Sequence, residues 1–189
     1  QHLTRLKKNI SSLRYSLSDQ FDLEEIILEV ISRNKFINQV IYVQISRGTD
    51  IVRDHIPSND LIPTIFVSSH ELKTEFSPSS GEKAILLEDF RWRKSQIKAT
   101  SLLANVIYRS EAKHREVFET ILFENGFITE GAVSNVFCCI NNKIITPPLT
   151  ENILPGVTRK VILELIQNTS LEYEAVSYTH LTLPTIVSV

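Results

Sequence analysis

Asn125-Gly126 stands between two runs rich in β-branched and aromatic residues, Val117 to Phe123 and Phe127 to Glu130. A two-residue asparagine-glycine link requires positive φ at both positions, so it predicts a type I′ hairpin and fixes the register of whatever sheet contains it. Asn141-Asn142 sits in the same way between Asn135 to Ile140 and Lys143 to Thr146, and predicts a second hairpin. The strand Lys83 to Glu88 precedes both. A helix from about Ser101 to Lys113 comes between, and a last helix from about Thr158 to Asn168 is expected to bury Val161, Ile162, Leu165 and Ile166. These residues predict a sheet-dominated unit carrying a few helices.

The first part of the chain alternates differently. Leu3, Leu6, Ile10 and Leu13 recur at helical spacing. A stronger helix runs from about Leu23 to Ser32, with Asp22 and Glu25 as a capping box and Leu23, Ile26, Ile27, Val30 and Ile31 as its apolar stripe. Strands are expected at Gln39 to Ser46 and Ile62 to Ser68. Thr74 to Glu82, with Ser77-Pro78-Ser79-Ser80-Gly81, has the composition of a linker. The domain expectation is therefore a partial N-terminal α/β domain over 1–73, a linker over 74–82 and a partial C-terminal domain over 83–175. Residues 176–189 depart from the preceding style, resemble translated sequencing-adapter sequence and are read as a non-native tail. With no methionine in 189 residues, the chain is also read as missing its start.

Charge and cysteine usage narrow the function classes. A net charge of −2, from 20 basic and 22 acidic residues, gives no electrostatic footprint for nucleic acid. No apolar run approaches the roughly 18 to 20 residues that span a bilayer, so no membrane partner is expected. Cys138 and Cys139 are neighbours in an apolar strand, where they should face opposite ways and stay reduced, which suits a cytoplasmic location. No metal site is assigned.

Three chemical groups stand in order along the chain: Lys98 ahead of a helix, Glu130 at a strand end, and Leu154-Pro155-Gly156-Val157-Thr158-Arg159 opening the last helix. A lysine can hold an aldehyde covalently, a carboxylate can keep a pyridine nitrogen protonated, and a glycine turn at a helix N-terminus can seat a phosphate. Taken singly, each has a plain structural explanation: a surface lysine, a turn glutamate, a Pro-Gly helix start.

Together with His2-Leu3-Thr4-Arg5-Leu6, Ser46-Arg47-Gly48-Thr49, Arg53-Asp54-His55, Glu88-Asp89-Phe90-Arg91-Trp92 and Ser134-Asn135-Val136-Phe137, they resemble the class IV, or fold type IV, pyridoxal phosphate aminotransferases. Within that family the resemblance is to the D-amino acid aminotransferases. It implies an α/β (α+β) fold with a small N-terminal domain and a larger sheet-dominated C-terminal domain, the cofactor pyridoxal 5′-phosphate, an active site between the domains and a homodimer. It further implies that Lys98 carries the cofactor and moves protons, that Glu130 faces the pyridine nitrogen, that Leu154 packs on the ring, and that Arg5, Gly156, Val157 and Thr158 hold the phosphate. Arg91 is expected near the phenolic oxygen. Arg53 and His55, at alternate positions of an extended loop, would hold the substrate carboxylate.

The reaction so implied is transfer of an amino group from a D-amino acid such as D-alanine to a 2-oxo acid such as 2-oxoglutarate. Alternatives are an aminodeoxychorismate lyase or a branched-chain L-amino acid aminotransferase of the same family, and outside the enzyme class a cofactor-free binding domain. The family's N-terminal tyrosine near the substrate and its C-terminal phosphate contacts are not found in this sequence.

Overall fold

A computed structural model of the chain describes residues 1–18, 21–73 and 81–178. The chain divides into two compact units, one within residues 10–77 and a larger one combining residues 1–9 with the chain after residue 77. The expected linker lies mainly outside the described residues, as does the expected tail from residue 179.

In the smaller unit, helix α2 (Leu23–Ser32) packs on an antiparallel pair, β1 (Gln39–Ser46) and β2 (Thr64–Glu71). Asp22 caps α2, its carboxylate accepting from the amides of Glu24 at 2.9 Å and Glu25 at 3.2 Å. Leu23 is buried, and Ile26, Ile27, Val30 and Ile31 are half-buried along the expected stripe. β2 departs from expectation at both ends. It starts after Pro63, which lacks the amide a ladder needs, and it runs on through Ser69, His70 and Glu71 because β1 offers partners down to Gln39.

The larger unit begins with helix α1 (His2–Ser12), whose last residues fall in the smaller unit; the chain leaves it at Arg14, φ 58°. A first sheet has the order β3 (Ala84–Glu88), β4 (Glu119–Glu124), β5 (Phe127–Gly131), with β3 parallel to β4 and β5 antiparallel to it. The crossover from β3 to β4 carries helix α3 (Leu103–His114). A second sheet has the order β6 (Cys138–Ile140), β7 (Lys143–Thr146), β8 (Glu172–Ala175), and helix α4 (Val157–Gln167) connects β7 to β8. Both asparagine-led links have the left-handed backbone that the sequence demands: φ is 52° and 82° at Asn125 and Gly126, and 49° and 64° at Asn141 and Asn142.

The core lies between these sheets and helices. Ile121, Ile128, Val136 and Cys138 form one buried cluster, and Tyr108, Leu122 and Ala132 another. Cys138 is buried and Cys139 exposed, both free thiols, as their alternation on a strand requires.

Three expectations are corrected here. β6 begins at Cys138 rather than Asn135, because the Asn135 side chain is drawn toward Glu130 and Leu154 in the loop that follows β5. On α4, Ile166 is buried and Ile162 half-buried, but Val161 and Leu165 are exposed, Leu165 by 61%. The inward face is set instead by Arg159, 6% exposed and one turn before Ile162. Strand β8 was not foreseen; parallel pairing with β7 makes it, and the ladder continues as the Val176 amide donates to Thr146 O at 3.0 Å.

Candidate active site

The site residues of the larger unit converge because three chain segments end against one another. β5 ends at Gly131 immediately after Glu130. The loop after β3 brings Arg91 back to Glu130 and continues to Lys98, five residues ahead of α3. α4 starts at Val157, with Gly156 as its N-cap and no side chain bonded across that end. Around these ends is a cleft of about 1150 Å³, lined by Lys98, Glu130, Leu154, Gly156, Val157 and Thr158, with His2 and Arg5 from α1. All the lining residues belong to the larger unit.

Glu130 is 4% exposed and tightly held. Its Oε1 accepts from Arg91 Nη1 at 2.5 Å; its Oε2 accepts from Asn135 Nδ2 at 3.1 Å and from the Leu154 amide at 3.0 Å. A carboxylate has about four acceptor positions. Three are filled, which leaves one on Oε1 for a donor in the cleft. Burial raises the pKa of Glu130, and the Arg91 guanidinium offsets much of that push.

Arg91 commits four of its five N–H donors to protein acceptors. Its Nε donates to Asp89 Oδ1 at 2.9 Å and its Nη2 to Asp89 Oδ2 at 2.6 Å and Asn152 O at 3.0 Å, while Nη1 serves Glu130. These bonds make Arg91 a brace beneath Glu130. Asp89 takes a further bond from Thr129 Oγ1 at 2.9 Å. Burial would raise its pKa, but the Arg91 bonds and charge outweigh burial and hold it below the usual carboxylate range.

Lys98 has the opposite character. Among the described residues its ammonium has no hydrogen bond or ion pair, and it is exposed to the cleft. Partial burial lowers its pKa, the Arg5 charge lowers it further, and Glu130 opposes both. More of this amine is therefore neutral near pH 7 than of an ordinary lysine, and a neutral amine is the nucleophilic form.

Arg5 donates to Pro155 O at 3.0 Å, which ties α1 to the segment entering α4. Beside it, the first-turn amides of α4 have no intrahelical partners and carry the positive end of the helix dipole. Gly156 is required here for space: a Cβ would lie 2.0 Å from Asn135 Oδ1. Arg159, also lining the cleft, is held by Pro147 O at 3.0 Å, and burial lowers its pKa.

This donor set fits a pyridoxal phosphate. It offers an unpartnered amine, a braced carboxylate with one acceptor position left, and a cationic helix N-terminus on one cleft. The sequence named Lys98, Arg5, Glu130, Leu154, Gly156, Val157 and Thr158, and all of them line this common surface. It did not foresee that Asn135 and Asp89 hold that surface together, although both stand in the motifs quoted above.

Arg53 and His55 belong to the smaller unit and are exposed. Their loop bends rather than extends: Asp54 Oδ1 accepts from the amides of His55 at 2.5 Å and Ile56 at 3.1 Å, and Asp50 Oδ2 from that of Ser58 at 2.9 Å.

A family model described as amino-transferase class IV matches residues 1–187, so the chain belongs to that family. It is 33% identical over 181 residues to a D-alanine aminotransferase from Bacillus licheniformis, covering 95% of this chain and 64% of the relative. The chain thus spans less than two thirds of that protein's length. A solved structure described as a 4-amino-4-deoxychorismate lyase from Legionella pneumophila superposes with a TM-score of 0.83 at 20% identity, over 95% of this chain and 67% of the other. A branched-chain amino acid aminotransferase from Thermobaculum terrenum, solved in its PLP form, gives 0.80 at 20%, over 96% and 62%. These likenesses establish the fold type IV architecture. No helix among the described residues is long and apolar enough to cross a membrane.

Proposed function

We propose that the protein transfers amino groups between a D-amino acid, such as D-alanine, and a 2-oxo acid, such as 2-oxoglutarate, using pyridoxal 5′-phosphate. The observation that carries this reading is the pairing of Lys98, an unpartnered amine, with the braced Glu130 carboxylate on one cleft. D-alanine aminotransferase relatives support the substrate class. When bound, pyridoxal phosphate supplies an aldehyde that captures amines and a protonated ring that accepts electrons from a substrate carbon.

Each residue then has a defined task. Lys98 would hold the aldehyde covalently, and its amine would move the proton at the substrate α-carbon. Glu130 accepts the hydrogen bond of the ring nitrogen and keeps that nitrogen charged. The amides at Gly156, Val157 and Thr158, the Thr158 hydroxyl and the remaining Arg5 donors bind the phosphate. Leu154 packs on the ring face and excludes water. Arg53 and His55 are assigned the substrate carboxylate, which an arginine fork and a histidine donor suit. A cytoplasmic homodimer is the working assembly.

The test is covalent. Borohydride reduction of the protein with pyridoxal phosphate should fix the label on Lys98, read by peptide mass spectrometry; a label elsewhere, or none, sinks the proposal. Amino transfer from D-alanine to 2-oxoglutarate, set against release of 4-aminobenzoate from aminodeoxychorismate and against L-valine as donor, separates this reading from the lyase and from the branched-chain enzyme.

A further inference from the structure

The buried carboxylates under the cleft outnumber the cation they share. Asp89, Arg91 and Glu130 form a continuous chain in which the side chains are only 5 to 6% exposed. Two carboxylates and one guanidinium sum to −1. The other groups bonded to the trio, Thr129 Oγ1, Asn135 Nδ2, the Leu154 amide and the Asn152 carbonyl, are neutral. Among the described residues, Lys98 is a cation that interacts with Glu130 from outside the trio. Its charge is absent in the neutral form that attacks an aldehyde.

The division of Arg91 is unequal. Asp89 receives Nε and Nη2 in a two-pronged bond, and Glu130 receives Nη1 alone. A carboxylate clamped by both prongs would be a neutralised, weakly basic partner; one held by a single prong keeps more of its affinity for a second positive donor. A net buried charge without compensation is costly, so the trio favours a ligand that brings one positive charge to the open position on Glu130 Oε1.

We propose that Asp89 is a positioning residue for charge: by occupying Arg91, it leaves the trio one positive charge short and thereby makes Glu130 select a protonated ring nitrogen. The inference rests on the cofactor reading of the cleft given above. It adds a residue that touches neither cofactor nor substrate, yet sets the charge of the ring through two intervening bonds.

The experiment compares equilibrium binding of pyridoxal phosphate with that of its carbon analogue, in which CH replaces the ring nitrogen, to the protein and to Asp89→Asn and Asp89→Glu. The unsubstituted protein should favour pyridoxal phosphate by roughly tenfold or more, the equivalent of one pKa unit. In Asp89→Asn the preference should shrink to within about twofold, because the remaining Arg91–Glu130 pair is neutral. Asp89→Glu, which keeps the charge, should retain the preference. Should Asp89→Asn not fold, Asp89→Ser makes the same change in charge with room for a water. A preference unchanged in the neutral variants, or lost equally in Asp89→Glu, overturns the inference while leaving the cofactor site intact. Failure of both compounds to bind saturably overturns the cofactor reading itself, and the inference with it.

Discussion

The Asn135 carboxamide donates both to Glu130 Oε2, at 3.1 Å, and to Leu154 O, at 3.0 Å. One short side chain therefore joins the end of β5 to the segment that opens α4, and so sets the spacing between the carboxylate and the helix N-terminus. Asn135→Ala should leave a buried carboxylate oxygen and a carbonyl each short of a donor. The expected cost is about 1–3 kcal/mol in folding free energy, read from urea denaturation, with weakened cofactor binding.

Gly156 bears on the same carboxamide from the other side, since its missing Cβ would stand 2.0 Å from Asn135 Oδ1. Gly156→Ala must displace Asn135, and with it one tie to Glu130. Its effect on cofactor affinity should overlap with that of Asn135→Ala. A double-mutant cycle measured by cofactor titration should give a combined loss well below the sum of the two single losses; a strictly additive cycle would show that the two act separately.

The Lys98 amine titrates below an ordinary lysine, owing to burial first and to Arg5 second. The sign follows directly: surroundings that penalise the ammonium favour the neutral, nucleophilic amine at lower pH. Covalent capture of pyridoxal phosphate, followed by its absorbance after rapid mixing, should therefore rise with pH about a midpoint below the roughly 10.4 of a free lysine. Arg5→Gln should move that midpoint upward. A midpoint that stays put or falls in Arg5→Gln would remove Arg5 from the account.

How much of this was legible in the sequence depends on the range of each interaction. The hairpin links were readable because Asn125-Gly126 and Asn141-Asn142 state a local backbone requirement, and their φ values meet it. The α2 cap at Asp22 was readable for the same reason. β8 was not, since Glu172-Tyr173-Glu174-Ala175 becomes a strand only by pairing with β7, some 30 residues earlier. On α4, hydrophobicity alone pointed inward at Leu165, but the buried Arg159 fixed which face turns in. In the site, the chemically active types at Lys98 and Glu130 could be named, whereas the partner of Arg91 could not. The bond from Arg91 to Glu130 spans 39 residues, and an arginine two positions after Asp89 signals only the local half of the network.

Beneath that network, Tyr108 is the largest fully buried side chain of the α3 face. Its hydroxyl donates to Glu88 O at 2.7 Å and accepts from the Phe90 amide at 2.7 Å, so it holds the backbone on both sides of Asp89. Its ring meets Phe90 with centroids 4.5 Å apart. Tyr108→Phe keeps the ring packing and removes only the oxygen. The two backbone groups it satisfied lose their partner at a cost of about 1–3 kcal/mol, and the chain through Asp89 loses its anchor. Thermal or urea unfolding should register that loss. If Asp89 depends on this anchor, the same variant should also weaken the preference for pyridoxal phosphate over its carbon analogue, by less than Asp89→Asn does. A loss of stability with the preference untouched would confine Tyr108 to the core.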